Sequence, residues 1–264
     1  DLSWLQKCRQ LESLTFTIET STTDIKRHDH CRGWSKLLTG LSNLRELTVY
    51  VEDPSLEDWT TLASIPSLHK VGVNWPATDI DEDDSRRSWS ISLFSLNVER
   101  LSALAAIPNL QHLDLTCDDL SSDITDCLVR FDTLRSLTLR HATLTDSMLR
   151  GIAKCPHLES LTLVNTTISP LEGLAMLGEC PSFHQLIVRE NEIVSDHLSG
   201  IARITQLRSL QIDHLSDSIQ GLTQLTSLTK LEELDLHSDE PIDDIIEAIP
   251  SMPELHWLRF KTLP

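Results

Sequence analysis

Apolar residues recur along this chain in two interlocked rhythms. The first is L-x-x-L-x-L, with Val, Ile or Phe in place of Leu at some positions. It begins at Leu11, Leu44, Leu68, Leu110, Leu134, Leu158, Phe183, Leu207, Leu231 and Leu255. Alternation in its second half has the period of a strand with one buried face. The second rhythm runs ahead of the first, with apolar residues nine, six and three positions before most starts. Leu101, Leu104 and Ile107 precede Leu110; Leu198, Ile201 and Ile204 precede Leu207; Leu222, Leu225 and Leu228 precede Leu231. A spacing of three suits a short helix or 3₁₀ turn with one buried side. Proline follows the last of these positions at 66, 108, 156, 181 and 253. It stops the helix and forces an extended approach to the strand.

The steps between starts are 33, 24, 42, 24, 24, 25, 24, 24 and 24 residues. A constant step of this size marks a repeat array. The two long steps read as the same unit with insertions, near 19–31 and 75–97. One strand–turn–helix unit cannot bury its own apolar side, whereas stacked units share a continuous core. The expected structure is therefore α/β, a parallel sheet of about ten strands with short helices on its other side.

Within this pattern, TLTDSMLRGIAKCPHLESLTL (143–163) resembles the helical class of the leucine-rich repeat family, written LTD…L…L…CPxLxxLxL. The resemblance covers nearly the whole chain. It implies one leucine-rich repeat domain over 1–264, a right-handed α/β superhelix or horseshoe-like arc with strands on the concave side and helices on the convex side. It also implies a protein that works by contact with other proteins. The family's buried asparagine ladder is mostly missing: the corresponding positions are Asp118, Ala142, Thr166 and Asn191, of which only Asn191 fits. The turn must satisfy its backbone amides another way. Leu2, Leu5 and Cys8 fall in the helix rhythm before Leu11, so the chain is expected to be a segment of a longer protein, with flanking domains of that chain as possible neighbours.

Charge narrows the partner. Twenty-two basic against 40 acidic residues leave a formal charge of −18. That field repels nucleic acid and anionic lipid and favours a partner with a basic surface. No apolar run is long enough for a membrane span. The six cysteines form no CxxC pair. Cys8, Cys155 and Cys180 occupy the last apolar helix position and read as small buried hydrophobes. Thiols used this way point to an intracellular protein, cytoplasmic or alternatively nuclear, although the triplet Asn165-Thr-Thr167 is a glycan acceptor pattern and argues the other way. His28, His30 and Cys31 lack a fourth ligand at zinc-site spacing, so no metal or other cofactor is expected. Catalytic motifs are absent: no GxSxG, P-loop, HExxH or GxGxxG occurs, and the expectation is a non-enzymatic protein.

Numbering each strand motif from its first Leu as slots 1 to 7, side chains in slots 3, 5 and 7 point away from the leucines. From these rows come the expected contact residues: Tyr50, His112, Asp114, Arg140, Thr162, Arg189, Gln211, Asp235, Trp257 and Arg259. A second candidate is the acidic loop holding Asp79, Asp81, Glu82, Asp83 and Asp84. The function expected is a scaffold or adaptor that holds a basic partner protein on its inner face. Two alternatives stay open: the substrate-receptor array of an F-box ubiquitin ligase, and an innate-immune or other receptor ectodomain.

Overall fold

Leucine or another apolar residue at slots 4 and 6 of each motif, most often with a polar residue between, builds strands that pair side by side in the register set by the 24-residue step. A computed structural model describes residues 5, 7–18, 33–51, 54–73, 87–92, 95–96, 98–116, 119–120, 125–168, 173–191, 193–215, 222–238 and 249–262. The chain forms two compact units, 1–121 and 122–264.

In the first unit, β1 (Ser13–Thr17), β2 (Glu46–Tyr50), β3 (Lys70–Val73), β4 (Arg87–Ser92) and β6 (Leu110–Thr116) neighbour one another in that order. β5 (Ser95–Leu96) pairs β7 (Asp119–Leu120) separately. The helices are α1 (Leu56–Ala63) and α2 (Val98–Ala105), with a 3₁₀ turn at Trp34–Leu38. In the second unit the order is β8 (Ser136–Arg140), β10 (Ser160–Val164), β12 (Gln185–Arg189), β13 (Ser209–Leu215), β14 (Glu233–Ser238) and β15 (Trp257–Thr262). β9 (Thr143–Leu144) pairs β11 (Thr167–Ile168). Its helices are α3 (Thr125–Leu128), α4 (Asp146–Ala153) and α5 (Ser195–Ile201), with 3₁₀ turns at Leu174–Glu179, Thr223–Ser227 and Ile249–Ser251. Each strand pair with a described register is parallel, and slot 3 meets slot 3: Ser136, Ser160, Gln185, Ser209, Glu233 and Trp257 form one such row. Both units thus have the leucine-rich repeat architecture.

The sequence pattern needs one correction. The segment 75–97 reads as an insertion, yet Arg87–Ser92 is a sheet strand between β3 and β6. Its motif starts at Arg86, 18 residues after Leu68 and 24 before Leu110. Arginine in slot 1 hides it, and only Trp89 and Ile91 in slots 4 and 6 betray it. The other insertion, 19–31, and the acidic loop lie outside the described residues.

The core lies between strands and helices. Leu137, Leu161, Leu186, Leu210 and Leu234, all in slot 4, are buried, and so are the helix positions Leu149, Ile152, Leu174, Leu177, Leu198, Ile201, Leu222 and Leu225. In the first unit α1 packs against α2 and the Trp34–Leu38 turn; in the second, α4 packs against α3 and the Leu174–Glu179 turn, and α5 against that turn and Thr223–Ser227. Gly173 allows one such approach, since a Cβ there would lie 2.6 Å from Leu149 Cδ1. At the first strand, Phe16 meets Trp34 edge-on, ring centroids 5.6 Å apart.

Some polar residues inside this core are answered from the adjacent repeat of the same unit. Ser35 stands in a helix position that is apolar in most repeats, and the buried Asp58 receives it: Oδ1 accepts from Ser35 Oγ at 2.8 Å and Ser35 N at 3.3 Å. Asp58 Oδ2 accepts from Ser55 N and Oγ at 3.1 and 2.6 Å, closing the capping box of α1. In the second unit Asn191 Oδ1 accepts from Thr166 N and Oγ1, and its Nδ2 donates to Leu163 O at 3.1 Å and Arg189 O at 2.6 Å. Thr166, one of the positions that departs from the asparagine ladder, is thereby tied to the one asparagine that remains. The strand exits beside it turn through left-handed backbone at His141, Asn165 and Glu190, with φ of 57°, 49° and 54°.

The thiols follow the same logic. Cys155 and Cys180 are buried, and their S–H groups donate to carbonyls of the preceding unit, Leu128 O at 3.1 Å and Cys155 O at 3.3 Å. Cys8 is half-buried. Burial, with Cys180 nearby, pushes the Cys155 thiol up to about 12, and burial also raises Cys180.

Three outcomes follow from this packing. Asp58→Ala strands two serine hydroxyls and two amides, and urea unfolding should record a loss of about 2–4 kcal/mol. Because the folded thiol of Cys155 titrates above its ordinary 9.0, its contribution is complete below pH 9 and declines as pH rises towards about 12. Unfolding measured across that window should show a fall that Cys155→Ala makes shallower. In the native protein at neutral pH, thiol reagents should label Cys155 and Cys180 only after denaturant is added.

Candidate functional site

The strand face opposite the leucines carries slots 3, 5 and 7, and parallel pairing lines like slots up at about 4.8 Å. In the first unit Tyr50, in slot 7 of β2, is 36% exposed. His112 and Asp114, in slots 3 and 5 of β6, are only 6% and 3% exposed and present little surface to a partner. Alternation says which face a residue is on and not what covers it. The acidic residues Asp79, Asp81, Glu82, Asp83 and Asp84 lie outside the described residues.

In the second unit the floor begins with small hydroxylated residues, Ser136 and Thr138 on β8 beside Ser160 and Thr162 on β10, all half-buried. Arg140 in slot 7 of β8 is half-buried as well. From β12 onward the face becomes an ionic network. Arg189 is exposed; it donates to Gln211 Oε1 at 3.2 Å and lies 3.8 Å from Asp213 Oδ2. Gln211 donates to Asp213 Oδ1 at 3.0 Å. His237 approaches Asp213 at 3.8 Å and Asp235 at 3.3 Å. Asp235, 4% exposed, is gripped by both forks of Arg259: Nε donates to Oδ1 at 2.9 Å, and the second nitrogen donates to Oδ2. The same guanidinium lies over the Trp257 ring, 5.5 Å from its centroid. The hydrogen bonds from Asp235, then its charge, push Arg259 above its already high ordinary value.

Five expected residues, Arg189, Gln211, Asp235, Trp257 and Arg259, are thus drawn into one network, while Tyr50 stands in the other unit and Arg140 and Thr162 stand outside the network. Asp213 and His237 belong to it and were not singled out. The signal was available: slot 7 reads Arg189, Asp213, His237 on successive strands, and alternating charge in one row of a parallel sheet foretells pairing. Trp257, 43% exposed, supplies an aromatic surface at the end of the network. Its guanidinium partner is held fixed by a buried carboxylate, so this corner is ordered before any partner arrives.

Among the described residues no group of three or more His, Cys, Asp or Glu could hold a metal ion. No helix there is long and apolar enough to cross a membrane.

No protein-family model matches the sequence, and no curated protein matches it. Solved structures do. An internalin, InlF, from Listeria monocytogenes str. 4b F2365 is 19% identical over 88% of this chain and 71% of its own, with a TM-score of 0.46. Internalin C2 from the same strain is 15% identical over 87% of this chain and 84% of its own, with a TM-score of 0.48. TLR13, crystallised in complex with ssRNA13, is 17% identical over 97% of this chain but 40% of its own, also at 0.48. These likenesses are distant, and the architecture assigned above rests on the register and core of the chain itself.

If the corner is one unit energetically, Asp235→Asn and Arg259→Gln should destabilise non-additively in urea, the second change costing little once the first is made. Additive losses would show two independent surface residues.

Proposed function

We propose that this chain is a non-enzymatic protein-interaction module, a scaffold or adaptor that holds a partner protein on the strand face. The observation that carries this reading is the Asp235–Arg259–Trp257 corner, where an exposed aromatic ring and a guanidinium are fixed in advance by a buried carboxylate. Interface anchors are enriched in Trp, Tyr and Arg, and fixing them beforehand reduces the ordering cost of association. Arg189 extends the same surface, and Tyr50 offers an anchor on the first unit. The charge of −18 favours a partner whose contact surface is basic.

The test uses the intact chain as bait in its native source, beside a variant carrying Tyr50→Ala, Arg140→Ala, Arg189→Ala and Trp257→Ala. Captured proteins are then titrated against both forms. The variant should bind at least about tenfold more weakly, and Trp257→Ala alone should account for much of the loss. Association should slow as salt is raised. Equal binding of the same proteins by both forms would place the interaction elsewhere.

A further inference from the structure

Slots 3, 5 and 7 of the second unit carry three carboxylates, Asp213, Glu233 and Asp235. Two of them have cationic neighbours. Asp235 is held by Arg259 and approached by His237 at 3.3 Å, and Asp213 lies 3.8 Å from both Arg189 and His237. In slot 2, just before β14, Glu232 meets Arg208. Glu233, in slot 3 of β14, is the exception. It is exposed, and among the described residues it meets only a hydroxyl: Ser209 Oγ donates to its Oε2 at 3.1 Å, and Oε1 has no partner. Its neighbours along the row are Ser209 on β13 and Trp257 on β15, so the register sets no cation beside it.

What the register does set beside it is an aromatic ring. Trp257 pairs with Glu233 across strands about 4.8 Å apart, and it is 43% exposed. Arg259 lies over this ring, but its charge is committed to Asp235. One guanidinium covers one face, and an aromatic ring attracts cations at both. Lys261 stands four residues along β15 from Trp257, roughly 13 Å at the rise of a strand. Screening at that separation leaves Glu233 its charge. An exposed carboxylate without a cation thus adjoins an exposed ring, in a chain whose charge of −18 already favours a basic partner.

We propose that Glu233 and Trp257 together receive a cationic side chain, arginine or lysine, of the partner protein. The carboxylate accepts its hydrogen bonds, and the ring faces its charge. The Ser209 hydroxyl orients the carboxylate beforehand. This assignment rests on the strand-face reading and adds to it the residues that read the partner's basic surface.

The test needs no partner protein. Acetylated, amidated tripeptides Gly-Arg-Gly, Gly-Lys-Gly and Gly-citrulline-Gly are titrated into the whole chain; citrulline keeps the shape of arginine without its charge. NMR follows the indole N–H resonance of Trp257, identified by its loss in Trp257→Phe. Saturable shifts are expected with the arginine and lysine peptides, the tighter of the two naming the side chain, and binding at least about tenfold weaker with citrulline. Glu233→Gln should weaken the cationic peptides about tenfold. Glu232→Gln should leave them unchanged, because that carboxylate already has Arg208. Absence of a saturable shift with either cationic peptide, equal binding of the citrulline peptide, or equal binding by wild type and Glu233→Gln overturns the proposal. A failed titration beside successful, Trp257-dependent capture strikes this assignment alone, whereas capture indifferent to the strand-face variant strikes the reading it rests on.

Discussion

A strand–turn–helix unit of about 24 residues has a leucine-lined side that it cannot close by itself, and every other feature depends on a neighbour closing it. Burying one such side chain is worth about 1.5–3 kcal/mol, and the fully buried leucines of slots 1, 4 and 6 recur from strand to strand. The stack tolerates no sliding: a shift by one residue would turn the leucines outward and the serines inward. The in-register pairing of like slots is the geometric expression of that constraint.

A continuous apolar core also dictates how polar groups enter it. Several are answered from the adjacent repeat. Asp58 serves both its own helix cap and Ser35 of the preceding unit, Asn191 serves the turn of Thr166, and the thiols of Cys155 and Cys180 donate one unit back. These bonds add little net energy when made but are costly to lose. They therefore discourage alternative stackings more than they deepen the native one.

The same register that closes the core arranges the outer face. Side chains 24 residues apart become neighbours, so charges distant along the chain meet as pairs: Arg135 with Glu159, Arg208 with Glu232, Asp235 with Arg259. Where the succession is complete the face is internally satisfied and ordered. The proposed function rests on one such completed corner.

Hydrophobic spacing alone was enough to recover most of the sheet strands, the helix positions and the strand face that carries the expected contact positions, because the repeat step and the side-chain period are both written in the order of leucines. It failed at β4, where Arg86 stands in slot 1 and leaves only Trp89 and Ile91 to mark the strand. It could not foresee that His112, Asp114 and Asp235 are covered while Tyr50 and Trp257 are not. Nor could it show that Glu233 meets only a hydroxyl where Asp235 meets a guanidinium. Periodicity assigns a residue to a face because that depends only on its own position; burial and pairing depend on what the neighbouring strands and turns bring within a few ångströms, and only the folded chain decides that.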